Sequence, residues 1–241
     1  MNKTLHILNG DAIKSLFQQS GIEGDVVVWR EAFIEGPIEG DIKEPAFWER
    51  RKNHLKATYP EHYSEDGLND IMKLGNTEDF DEVVLWFEYD LFCHANMLGC
   101  LAYICHHNVS LVCLGDELTG QFQTLGEIGP SDYQKLYANR SKLNNEDITY
   151  AGEVWKAFQT KEVKDVQPFI QGHPTLKYLG KALAQMELLE PDDAGLNQLQ
   201  HEMHQLKKEG LEDRKVIGTM LRRHPWLGLG DSQYWQLYNN I

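Results

Sequence analysis

The stretch EVVLWFEYDLFCHANMLGCLAY, residues 82–103, restricts what this chain can fold into more than any other. An apolar run over residues 83–87 stops abruptly at Glu88, Tyr89 and Asp90, and an almost wholly apolar segment of helical length begins at once. A strand without polar alternation needs cover on both faces, as the strands of parallel sheets have. In open α/β sheets, ligands bind beyond the carboxyl ends of the strands. The pattern therefore predicts a buried strand that carries Trp86 near its end and delivers Glu88 and Asp90 to a helix start on a ligand-binding edge.

The same grammar recurs along the first half of the chain. Residues 5–8 form a short apolar run, Asn9-Gly10-Asp11 reads as a turn, and Ile13, Leu16 and Phe17 then fall at helical spacing. Asn9 and Gly10 lie where the backbone can pass close to a ligand, and Asp11 either caps the new helix or joins the other carboxylates. One glycine does not make a GxGxxG fingerprint. Residues 25–29 (DVVVW) form a second buried strand, followed by Arg30, Glu31, Glu35 and a Gly36-Pro37 break. Residues 109–114 form a further strand ending in Gly115-Asp116. Strand, helix, strand, insertion, strand, helix, strand predicts an α/β fold with a Rossmann-like, doubly wound parallel sheet over residues 1–122.

The insertion, residues 39–80, is helical and reads as a lid. Pro45 opens it, and Phe47, Arg51, Leu55 and Tyr59 lie four apart on one face. Arg51 either packs its stem and sends its head to water, or pairs a phosphate or carboxylate. From Gly126 onward the apolar spacing is helical. Residues 123–241 are thus expected to form a helical domain whose last helices and HPWLGLGD corner resemble a helix-turn-helix or winged-helix module.

Charge narrows the partners. The net charge of −14 is concentrated in residues 1–130, which hold 9 basic and 22 acidic residues, against 14 and 15 in the remainder. The front half should repel a phosphate backbone unless a metal ion intervenes, which leaves the helical region for any contact with DNA or protein. There Lys207, Lys208, Arg214, Lys215, Arg222 and Arg223 are largely offset by Glu202, Glu209, Glu212 and Asp213. Cys93, Cys100, Cys105 and Cys113 contain no CxxC pair, so reduced core cysteines are expected rather than a disulfide framework or, with His94, His106 and His107, a zinc site. Residues 1–10 are too short and polar for a signal peptide, and no apolar run reaches the roughly 18 residues of a membrane span, so a cytoplasmic protein without a membrane partner is expected.

Six blocks, LHILNGD (5–11), VVVWREAFIEGPI (26–38), FWERRKNHL (47–55), VVLWFEYDLFCHANML (83–98), LGEIGPSDYQKLY (125–137) and PWLGLGDSQYWQL (225–237), together resemble a bacterial family catalogued as domain of unknown function 1835. Family members often read WFEHDLF where this chain has WFEYDLF, so Tyr89 stands in the place of a histidine. The resemblance implies the same two-part layout and singles out His6, Asp11, Arg51, Glu88 and Asp90. It implies no particular reaction.

Two functions are compatible with this reading. The first is binding or processing of a nucleotide or other phosphorylated small molecule with Mg²⁺ or Mn²⁺. In it Asp11 and Asp90 hold the ion, Glu88 acts as base or orients a water, Arg51 closes over a phosphate, and His6, Asn9, Gly10, Glu35 and Trp86 line the ligand. The alternative is a regulator, an α/β sensor joined to a helical module that binds DNA or protein.

Overall fold

Alternation along the strands decides how the molecule is layered. The computed structural model describes residues 3–61, 63–104 and 106–240. Strands β1 (Thr4–Asn9), β2 (Asp25–Trp29), β3 (Glu82–Glu88) and β4 (Val109–Leu114) run parallel, and β5 (Ser141–Leu143) pairs antiparallel with β4, in the order β2-β1-β3-β4-β5. Because successive side chains point to opposite faces, Leu8, Val84, Trp86, Val112 and Leu114 enter one core, while Leu5, Ile7, Val83, Leu85, Phe87 and Leu111 enter the other. The first core is covered by α1 (Lys14–Gln19), through Phe17, and later by α5 (Pro130–Ala138), through Tyr133 and Leu136.

The second core is larger and is organised around α4 (Leu91–Tyr103), which follows β3 directly. Only Phe92 and Ala102 of this helix escape full burial. A helix that is apolar on all sides has to be enclosed. The sheet covers one side, Phe33 and Trp48 cover another, and the helical region encloses the rest: α6 (Asn145–Phe158), α7 (Val163–Val166), α8 (Leu179–Leu183), α9 (Gln198–Lys208), α10 (Asp213–Arg223) and α11 (Asp231–Asn239) contribute Val154, Trp155, Val166, Leu183, Met203, Met220 and Tyr234 to the same continuous cluster.

The α/β fold with a helical C-terminal region is as expected, with one amendment. Strands do not stop at Leu114, because Ser141–Leu143 adds a fifth beyond residue 122. Two of its three residues are exposed, so the apolar run that marks a central strand is missing. No strand follows it among the described residues, so the helical region has no wing. No helix among the described residues is long and apolar enough to cross a membrane. Cys93, Cys100 and Cys113 are free thiols, and Cys105 lies outside the described residues.

The insertion forms α2 (Pro45–Thr58) and α3 (Glu65–Met72), but it is not a loose lid. Phe47 and Trp48 are buried, and Arg51 is wholly inaccessible. Its guanidinium donates to Glu31 Oε2 at 2.6 and 3.0 Å and to the carbonyls of Ala32 and Glu35 at 3.1 and 2.6 Å. Arg51 thus pairs a carboxylate, as one of its two expectations has it, but the carboxylate is the protein's own Glu31; its head is neither in water nor free for a phosphate, because the loop after β2 consumes its donors. Truncating one partner of such a buried pair leaves an uncompensated charge, so Arg51→Met is expected to destabilise the protein by about 3–5 kcal/mol. Equilibrium urea unfolding measures this, and a loss under about 1 kcal/mol would show that the pair is not structural.

Candidate functional site

In the order β2-β1-β3-β4, the connections leaving β1 and β3 diverge, which opens a crevice at their carboxyl ends. Leu8 is registered with Trp86, which brings Asn9 beside the end of β3. Asp90 is the N-cap of α4, its Oδ1 accepting the Cys93 N–H at 2.8 Å, and capping places Cys93 three residues on, over the same crevice. Glu88 Oε1 accepts the Leu125 N–H at 2.6 Å, and the Cys93 thiol lies 3.8 Å from Glu88 Oε2. Ligand atoms of Glu88, Asp90 and Cys93 all fall within 4.8 Å of one another.

A polar chain runs from this cluster across the sheet edge. Asn9 Nδ2 donates to Cys93 Sγ at 3.1 Å, and Asn96 Nδ2 donates to Asn9 Oδ1 at 2.9 Å and to the Glu31 carbonyl at 2.6 Å. Asn96 Oδ1 accepts the Phe33 N–H at 3.0 Å. The amides therefore tie the ends of β1 and β2 to α4. They also fix the face of Cys93 that looks toward Glu88.

The electrostatics are unusual because neither carboxylate has an ion-pair partner among the described residues. Burial, and then the charge of Asp90, pushes Glu88 up to about 7. Burial pushes Asp90 up to about 6. Burial and the two neighbouring carboxylates push the Cys93 thiol well up. Asp90 is covered from above by the turn Pro225–Leu227 and Gly228, which has φ 67°. A Cβ on Gly228 would overlap the Asp90 carboxylate, so glycine is required there both for backbone and for space.

The remaining sequence candidates are not gathered here. Asp11, expected beside Asp90, instead makes a two-pronged ion pair with Arg30 at 2.6 and 2.8 Å, which holds its carboxyl below the usual range, and its side chain is 59% exposed. The first residue after β2 out-competes a distant cation for it. His6 and Trp86 lie inside the sheet core: Trp86 Nε1 donates to His6 Nδ1 at 3.1 Å, and His6 Nε2 meets the Glu23 carbonyl at 3.2 Å, an arrangement that suits the neutral ring. Both point to the face covered by α1 and α5, away from the crevice. Glu35 accepts the Tyr59 hydroxyl at 2.5 Å in the insertion. Gly10, with φ 94°, keeps its place in the turn beside Asn9. Cys93 is expected from the sequence only as a core cysteine, and Asn96 is not singled out there; the spacing Asp90 to Cys93, N-cap to third helical residue, is the available signal for Cys93.

A scan against protein-family models gives no match, and a search of the curated proteins gives none.

The raised carboxyls have a consequence for stability. Folded-state values above those of free carboxyls mean that the folded protein retains protons which the unfolded chain releases. The stability tied to the neutral pair is fully present below about pH 4 and is lost as pH rises through about 6 to 7, with Asp90 alone accounting for about 3 kcal/mol. Asp90→Asn keeps a capping oxygen and removes the charge. Without added divalent ions, its urea midpoint is expected to fall less than that of the parent between about pH 5 and about pH 8. Parallel pH profiles for the two proteins would refute the assignment.

Proposed function

We propose that the crevice between β1 and β3 binds a nucleotide or other phosphorylated small molecule through a divalent cation. Glu88, Asp90 and Cys93 hold that cation. The observation that carries this reading is the cluster itself: a buried carboxyl, a partly buried one and a thiol within 4.8 Å, at the switch point of a parallel sheet, with no ion-pair partner for either carboxyl among the described residues. A divalent ion offsets the burial penalty that raises all three groups and makes the thiolate accessible at neutral pH.

The donor set refines the choice of ion. Two carboxylate oxygens suit Mg²⁺ or Mn²⁺, whereas a sulfur donor favours softer ions, which supports Mn²⁺ or Zn²⁺ over Mg²⁺. Glu88 is only partly buried and is the carboxyl that faces an incoming ligand. With its pKa near neutrality it also suits proton transfer. Asp11 and Arg51 drop out of the phosphate-binding role, since each is engaged elsewhere.

One contact favours the second, regulatory reading. Gly228 lies directly on Asp90, so a cation or ligand at Asp90 is felt at the turn that joins α10 to α11. In that reading the helical region transmits the ligand state to a protein or to DNA. The basic residues offered to DNA are partly spent: Arg223 pairs with Glu202, Lys215 with Glu212, and Lys207 lies over the Tyr238 ring. A protein partner is therefore the better fit.

Titration calorimetry with Mn²⁺ and with Zn²⁺ at neutral pH tests the first reading. Binding in the micromolar range is expected, weakened at least about tenfold by Asp90→Asn and by Cys93→Ser, because each removes one of about three protein donors. If neither ion binds, the cluster is a proton-sharing structural pair and the cation reading falls.

A further inference from the structure

The end of β2 and the two insertion helices enclose a second cavity, of about 130 Å³, lined by Glu31, Leu55, Tyr63, Leu68 and Ile71 among others. An apolar cavity of about 150 Å³ accommodates a benzene ring, so this one is sized for a single ring. Its walls are mainly aliphatic and aromatic, but two polar atoms in them lack partners. Glu31 Oε2 accepts both Arg51 nitrogens, at 2.6 and 3.0 Å, and the Ala32 N–H, at 3.2 Å. Glu31 Oε1 has no hydrogen-bond partner among the described residues, although the side chain is only 1% exposed. The Tyr63 hydroxyl is also buried and has no hydrogen-bond partner among the described residues. Both residues line the cavity, and a buried acceptor and a buried hydroxyl left unpaired there are costly unless something supplies a donor to the first and an acceptor to the second.

Charge selects the class of ligand. Glu31 is already neutralised by Arg51, and the cations near the mouth are paired, Arg30 with Asp11 and Asp70, and Lys52 with Glu65. An ammonium ligand would add an excess positive charge beside Arg51, and a carboxylate would meet Glu31. A neutral hydroxyl satisfies both orphaned atoms without changing the balance. We propose that this cavity is a binding site for a small, uncharged ring compound bearing one hydroxyl, which donates to Glu31 Oε1 and accepts from Tyr63 Oη. The site is separate from the cluster of Glu88, Asp90 and Cys93 and does not depend on a cation there.

Phenol, anisole, toluene and benzylammonium are the probes, with binding to the full chain followed by NMR at the Leu68 and Ile71 amides. Phenol is expected to bind saturably and about tenfold more tightly than anisole, which keeps the ring and loses the donor, and more tightly than benzylammonium. Tyr63→Phe should weaken phenol and anisole alike, because each presents an acceptor oxygen to Tyr63 Oη, and leave toluene, which has none, unchanged. Leu68→Trp, which fills the cavity, should abolish phenol binding while leaving Mn²⁺ affinity as it was. No saturable phenol binding, equal affinity for phenol and anisole, or undiminished phenol binding to Tyr63→Phe would each overturn the assignment.

Discussion

A helix that is apolar on every side cannot remain at a surface, and the structure follows from enclosing α4. The sheet encloses it from one side because β3 delivers it there with only Tyr89 and Asp90 between strand end and first turn. The other sides need Trp155 from α6, Leu179 and Leu183 from α8, and Leu227 from the turn before α11, all fully or nearly fully buried. At about 25 cal/mol per Å² of apolar surface, enclosing a 13-residue helix is a large share of what holds the two halves together. The sheet region and the helical region accordingly share one hydrophobic cluster.

Enclosure changes the chemistry of the residue at the head of that helix. An N-cap aspartate is ordinarily exposed and ionised, and it contributes about 1 kcal/mol to the helix. Here the corner carrying Gly228 closes over it, and Asp90 loses water while still capping α4. The sheet edge thus carries three acids, Glu31 and Asp90 buried and Glu88 partly so, in two regimes. Glu31 has Arg51 against it, whereas Glu88 and Asp90 have each other. A cation is already built into the first place, and the second calls for a proton or a metal ion. The Asn9 and Asn96 amides join the two regimes into one hydrogen-bonded edge, so a displacement at Cys93 reaches the loop after β2 through two side chains.

The four parallel strands, the insertion and the helical second half are readable from the chain. Continuous apolar runs and four-residue spacing are consequences of backbone geometry, which each segment carries within itself. The fifth strand was hidden because three residues, two of them exposed, hold no periodicity. The position of Glu88 and Asp90 at the carboxyl edge was readable for the same reason as the strands: in a parallel sheet, every strand ends on that side.

What each edge residue does there was decided by tertiary structure alone. Asp11 sits at a strand end, as the pattern requires, yet Arg30 claims it. Arg51 stands in an apolar stripe, and whether its head meets water, ligand or Glu31 depends on where a loop 20 residues earlier folds back. His6 and Trp86 lie on adjacent strands, 80 residues apart in sequence, and satisfy each other inside the core rather than a ligand. The Asp90 cap places Cys93 beside the carboxylates, but the amide that meets its sulfur comes from Asn9, 84 residues away. Periodicity is written in neighbouring residues, and so the sequence determined the elements and the edge on which they end. Protonation, pairing and metal-binding capacity depend on which charges meet after folding, and only the packed structure supplies that.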